Sequence, residues 1–206
     1  DPTHNNPVFV HNCNYVGEWS VFYGEGNITL DTKNFVEGSA SLKATIKAQE
    51  KGHFAILYKP PDRLNWTGMK FLEFWVKVNF SPSEIKIARV YVYGDKPTMA
   101  LWDIRSRLIK GEWVGIALPL NSPDGGTGEI NMSRVRSVLL YFQGTPGRTY
   151  TFWVDDVCVD VSDWSISHVG VPEALIDLSK VEHVEVISGS LEGVTISDAV
   201  IQSLEI

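Results

Sequence analysis

Short runs of alternating apolar and polar residues recur along this chain as far as Trp164, and each ends in a turn-forming cluster. Ser41–Lys47, Leu72–Val78 and Ile87–Tyr93 alternate in this way, and Trp113–Leu118, Val138–Phe142 and Tyr150–Val154 follow. The clusters between them are Lys59–Asp62, Ser81–Ser83, Gly94–Pro97, Ser122–Gly126 and Gly144–Gly147. A period of two sends successive side chains to opposite faces of a strand. Many such strands at this spacing predict an all-β fold, an antiparallel β-sandwich or jelly roll. Before the tail only Ile104–Leu108 suggests a helical turn, and within the tail Val171–Leu175 reads as the start of a short helix.

Composition breaks after Trp164. All 23 aromatic residues lie in residues 1–164, which carry 17 basic and 18 acidic residues. Residues 165–206 have no aromatic residue, one lysine and seven acids, and are dense in Val, Ile and Leu. The expected organisation is an aromatic-rich β-sandwich over 1–164 and a strand-forming C-terminal tail over 165–206. The tail is too short to bury a core of its own. Val181–Ile187 and Val194–Ile201 read as its two strands.

The net charge of −7 argues against nucleic-acid partners, and no apolar run is long enough to span a membrane. Four Asn-x-Ser/Thr sequons, at Asn27, Asn65, Asn79 and Asn131, point to glycosylation and to a secreted, extracellular or cell-surface protein. A start at Asp1 fits signal-peptide removal or a trimmed chain equally well. Cys13 and Cys158 are compatible with one disulfide or with two buried thiols.

The chain also carries an ordered series of short motifs. It begins with Phe9-Val10-His11-Asn12, Gly17-Glu18-Trp19 and Glu37-Gly38-Ser39-Ala40-Ser41-Leu42-Lys43, and continues with Phe71–Lys77 and Gly111-Glu112-Trp113. Phe152-Trp153-Val154-Asp155-Asp156-Val157 closes it. From about Val8 to Val159 this series resembles the β-jelly-roll carbohydrate-binding modules of the galactose-binding-like fold, often appended to glycoside hydrolases. The resemblance implies a structural calcium ion, with Asp155 as the best carboxylate and Asp31, Asn12 and backbone oxygens near Glu37 around it. Calcium needs six to eight oxygen ligands. The chain departs from the family where His11 and Asn12 stand in place of acids.

Alternation also sorts outward-facing residues. Glu73 and Trp75, Arg89, Tyr91 and Tyr93, and Tyr141 and Gln143 would share one outer face, with Trp102 as a wall on an adjoining loop. Such a face suits a polysaccharide, whose apolar ring faces stack on aromatic side chains. It suits equally a protein contact with the tail or with a neighbouring subunit.

Catalysis is not expected. The five histidines have no zinc-ligand spacing, and there is no Gly-x-Ser-x-Gly elbow, phosphate loop or dinucleotide fingerprint. The leading reading is therefore a self-assembling structural subunit of an extracellular filament or tube, with the tail donated as a strand to a neighbour. The alternative is a calcium-stabilised carbohydrate-binding module. Deleting residues 165–206 is expected to leave a folded domain and to abolish assembly; negative-stain electron microscopy of filaments with and without the tail checks this.

Overall fold

A computed structural model describes residues 8–161 of the chain. The expected tail strands and their donation to a neighbour lie outside the described residues. Among the described residues there are twelve strands: β1 (Val8–His11), β2 (Trp19–Tyr23), β3 (Glu25–Asp31), β4 (Ser41–Lys47), β5 (His53–Tyr58), β6 (Phe71–Val78), β7 (Ile87–Tyr93), β8 (Met99–Asp103), β9 (Val114–Pro119), β10 (Gly125–Gly126), β11 (Ser137–Gln143) and β12 (Thr149–Asp160). Short 3-10 turns occupy Pro82–Glu84 and Arg105–Arg107, the second within the expected helical turn. No helix among the described residues is long and apolar enough to cross a membrane.

The strands make two antiparallel sheets. The first runs β3-β4-β12-β6-β9, with β1 also paired to β12, and the second runs β10-β8-β7-β11-β5-β2. The expected sandwich is therefore observed. Its alternation is legible in burial: on β7, Ala88, Val90 and Val92 are buried while Ile87, Arg89, Tyr91 and Tyr93 are half-buried.

Aromatic rings lock the two sheets together. Phe54 of β5 stacks on Tyr150 of β12 with ring centroids 4.3 Å apart and 3° between planes. Phe142 of β11 stacks on Phe54 at 5.0 Å and meets Phe152 of β12 at 4.9 Å. Phe80 stands edge-on to Phe54, Phe142 and Tyr150. The Tyr150 hydroxyl accepts the Thr145 N–H at 2.7 Å, so the polar end of this ring is satisfied.

β12 holds the first sheet together because it pairs with three neighbours. Between Asp155 and Cys158 its register against β6 slips by one residue, and Asp156 there has φ +51°. This is the signature of a β-bulge, which bends a strand and re-aims its side chains.

Phe54 has no solvent exposure and touches four rings. Phe54→Ala should destabilise the domain by about 3–5 kcal/mol, while the exposed Phe35→Ala should change stability by less than about 1 kcal/mol, both read by urea denaturation.

Candidate functional site

The outer face of the second sheet carries an apolar and aromatic cluster of its own. Ala55, Leu139 and Tyr141 are buried there, and Tyr23, Leu57, Ile87, Tyr91 and Tyr93 pack against them. Strand register places these residues in rows. Tyr23 lies opposite Ala55, Ala55 opposite Tyr141, Tyr141 opposite Arg89, and Arg89 opposite Asp103. The next row is Leu57, Leu139, Tyr91 and Leu101, and beyond it Ser137, Tyr93 and Met99. On the other side of the first row stand His53, Gln143 and Ile87.

The rings make a continuous path across these rows. Tyr23 meets Tyr141 at 6.0 Å and His53 at 5.8 Å, Tyr141 meets Tyr91 at 5.9 Å, and Tyr91 meets Tyr93 at 6.2 Å. Their planes turn along the path, 76° from Tyr23 to Tyr141, 85° from Tyr141 to Tyr91 and 14° from Tyr91 to Tyr93.

Polar groups are held among the rings. Arg89 donates from Nε to Asp103 Oδ1 at 2.9 Å and from Nη1 to the Tyr91 hydroxyl at 3.4 Å. The Tyr91 and Asp103 contacts raise the Arg89 pKa, so it stays charged. His53 Nδ1 and the Tyr141 hydroxyl are hydrogen-bonded. Gln143 donates to the Lys51 carbonyl at 3.0 Å. Burial, then the nearby Tyr91 and Tyr23, push the Tyr93 and Tyr141 phenols up, so both remain neutral hydrogen-bonding groups at physiological pH.

Of the residues expected on this face, Arg89, Tyr91, Tyr93, Tyr141 and Gln143 come together. Glu73 and Trp75 do not, because β6 belongs to the other sheet, where Trp75 pairs with Gly115 and Glu73 with Ala117. Every strand of a sandwich has an outer face, and alternation alone does not say which sheet owns it. Trp102 is not a wall either: it is buried in the core, and its indole N–H donates to the Pro119 carbonyl at 3.0 Å. Tyr23 and His53 are members the sequence reading missed. The register slip between Val21 and Tyr23 breaks the alternation of β2. On β5 the outward positions Ala55 and Leu57 are themselves apolar, so no polar face was visible; that absence was the available signal.

The expected calcium ligands each have hydrogen-bond partners or a place in one concavity. Asp31 accepts the Lys33 and Asn34 amides, the Asn34 side chain and the Trp153 indole N–H, and the Lys33 amide contributes most to lowering its pKa. Asp155 Oδ2 accepts the Val36 and Glu37 amides at 2.6 and 3.0 Å, and its Oδ1 accepts the Asp156 amide at 2.8 Å. Asn12 and Glu37 line a concavity of about 390 Å³ with Phe9, Asn14, Gly38 and Asp156, next to Asp155. Among the described residues no three His, Cys, Asp or Glu side chains are grouped for a metal. N–H donors occupy both Asp31 and Asp155.

The cysteines do not pair as a disulfide. Neither is in a disulfide, and both are buried. Cys13 belongs to the core between the sheets, and burial, then Asp155, pushes its thiol well up. Cys158 stands opposite Glu73 on β6, between the core residues Val157 and Val159, and so faces the other side of its strand. The sequon residues Asn27, Asn65, Asn79 and Asn131 are all exposed.

No family model matches the sequence, and no curated protein matches it. Solved structures do match in fold. A family 11 carbohydrate-binding module from Clostridium thermocellum, in complex with a β-1,3-1,4-mixed-linked tetrasaccharide, is 13% identical at TM-score 0.54, covering 75% of this chain and 95% of that one. A family 30 carbohydrate-binding module is 14% identical at TM-score 0.54, covering 77% and 96%. An exo-β-agarase reaches TM-score 0.60 at 12% identity, covering 77% of this chain and 26% of the agarase. The described residues thus have the jelly-roll fold that carbohydrate-binding modules share.

Burial raises the Asp155 pKa to about 6, against the pull of the Glu37, Val36 and Asp156 amides. The native state therefore holds this proton more tightly than the unfolded chain, and the stability it contributes is lost as pH rises from about 4 through about 6. Across that window, the stability of the parent relative to Asp155→Asn should fall by on the order of 2–3 kcal/mol, measured by urea denaturation in EDTA.

Proposed function

We propose that this domain is a non-catalytic carbohydrate-binding module of a secreted protein, and that it takes one polysaccharide chain across the outer face of the second sheet. The observation that carries the proposal is the unbroken path of ring contacts from Tyr23 and His53 through Tyr141 to Tyr91 and Tyr93. An apolar cluster on the outer face of a sheet calls for a partner. Aromatic rings accept the C–H faces of pyranoses, while Arg89, Gln143 and the neutral phenols supply hydrogen bonds to hydroxyls.

Ring planes that turn along the path favour a single glycan chain, because a crystalline surface needs coplanar rings. The likeness in fold to carbohydrate-binding modules supports this reading over the filament subunit. Self-assembly rests on the tail, which lies outside the described residues.

Tyr91→Ala should weaken retention on soluble polysaccharide by about tenfold in native affinity gels, which corresponds to about 1.4 kcal/mol. A panel of mixed-linkage β-glucan, agarose and xylan supplies the ligands. Trp75→Ala, on the other sheet, should leave retention unchanged. Retention of Tyr91→Ala equal to the parent on every glycan that binds would sink the proposal.

A further inference from the structure

The charges around the ring path are unevenly satisfied. Arg89 is held by Asp103 in the middle of the face. At the end of β7, Arg63 and Arg134 both bind Asp95, at 3.1 and 2.6 Å. Arg136 differs. Its backbone N–H donates to the Tyr93 carbonyl at 2.7 Å, which fastens it beside the last ring of the path. Its guanidinium lies over the Tyr93 ring, 5.7 Å from the centroid. It is half-buried, and it has no carboxylate partner among the described residues.

A cation–π contact offsets only part of what it costs to withdraw a guanidinium from water without a counter-charge. It also leaves the planar N–H fork available, and that fork matches carboxylate and sulfate geometry. Asp103 is held by Arg89, Asp124 Oδ2 accepts the Asp103 amide at 2.7 Å, and Asp95, two residues beyond Tyr93, is held by Arg63 and Arg134. Nothing acidic stands in the rows that hold Tyr91 and Tyr93.

We infer that the glycan taken by this face is an acidic one, and that Arg136 selects it by pairing with a carboxylate or sulfate ester on the sugar held beside Tyr93. The inference rests on the glycan-binding reading above and adds the chemical class of the ligand. Tyr93 holds the guanidinium in place and Arg136 supplies the charge.

The test uses the full chain with three probes: polygalacturonate for carboxylates, carrageenan for sulfate esters, and mixed-linkage β-glucan as a neutral chain. Isothermal titration calorimetry should give the parent an affinity about tenfold higher for at least one acidic chain than for the neutral one. Arg136→Gln should erase that preference while leaving the neutral-chain affinity and the melting temperature unchanged. Arg136→Lys should recover only part of it, because the charge returns without the fork. The two acidic arms identify which anion is read. A parent with no acidic preference, or a preference that survives Arg136→Gln, overturns the inference and leaves neutral-chain binding in place. Failure to bind either acidic chain overturns the inference, and failure on agarose and xylan as well as these three overturns the glycan-binding reading with it.

Discussion

Phe54 and Phe142 from one sheet meet Tyr150 and Phe152 from the other in a single block of rings, and the domain is organised around that contact. Neither sheet is stable alone, because each has one face that must leave water. Stacked and edge-on rings add geometric preference to the burial itself. The sheets are therefore held in one relative placement, and the loops at their ends and the residues on their outer faces inherit that placement.

β12 is the second constraint. Among the described residues it is the longest strand, and it pairs with β1, β4 and β6. The bulge at Asp156 lets it change course partway along. At that point Asp155 is withdrawn from solvent and accepts three backbone amides, two of them from the Val36–Glu37 loop. One carboxylate thus ties a surface loop to the central strand. Amides that would otherwise be buried without acceptors are satisfied there, and the desolvation of the carboxylate is what that satisfaction costs.

The outer face of the second sheet follows from the same geometry. Three adjacent strands, β5, β11 and β7, each turn one set of side chains into the ring block and the alternate set outward. The outward sets are unusual in being apolar or aromatic on all three. An outer face that resembles a core is the mark of a surface made to be covered, and Arg89, His53 and Gln143 punctuate it with fixed polar groups.

The sequence by itself determined the fold class and the facing of residues within each strand. Alternation is a local property, written in the run Ile87–Tyr93 as plainly as in the folded β7, so Arg89, Tyr91 and Tyr93 were legible as neighbours. Tyr141 and Gln143 followed by the same reasoning. Only the tertiary structure decided which strands share a sheet. That choice depends on pairings between residues far apart in the chain, and it sent Glu73 and Trp75 to the opposite side of the sandwich and Trp102 into the core. It also decided that Asp31 and Asp155 accept amide and indole N–H groups, since backbone donors carry no signature in a residue string. Tyr23 and His53 joined the site for the same reason: a register slip on β2 and an apolar outer row on β5 are properties of pairing, and they exist only once the strands have met.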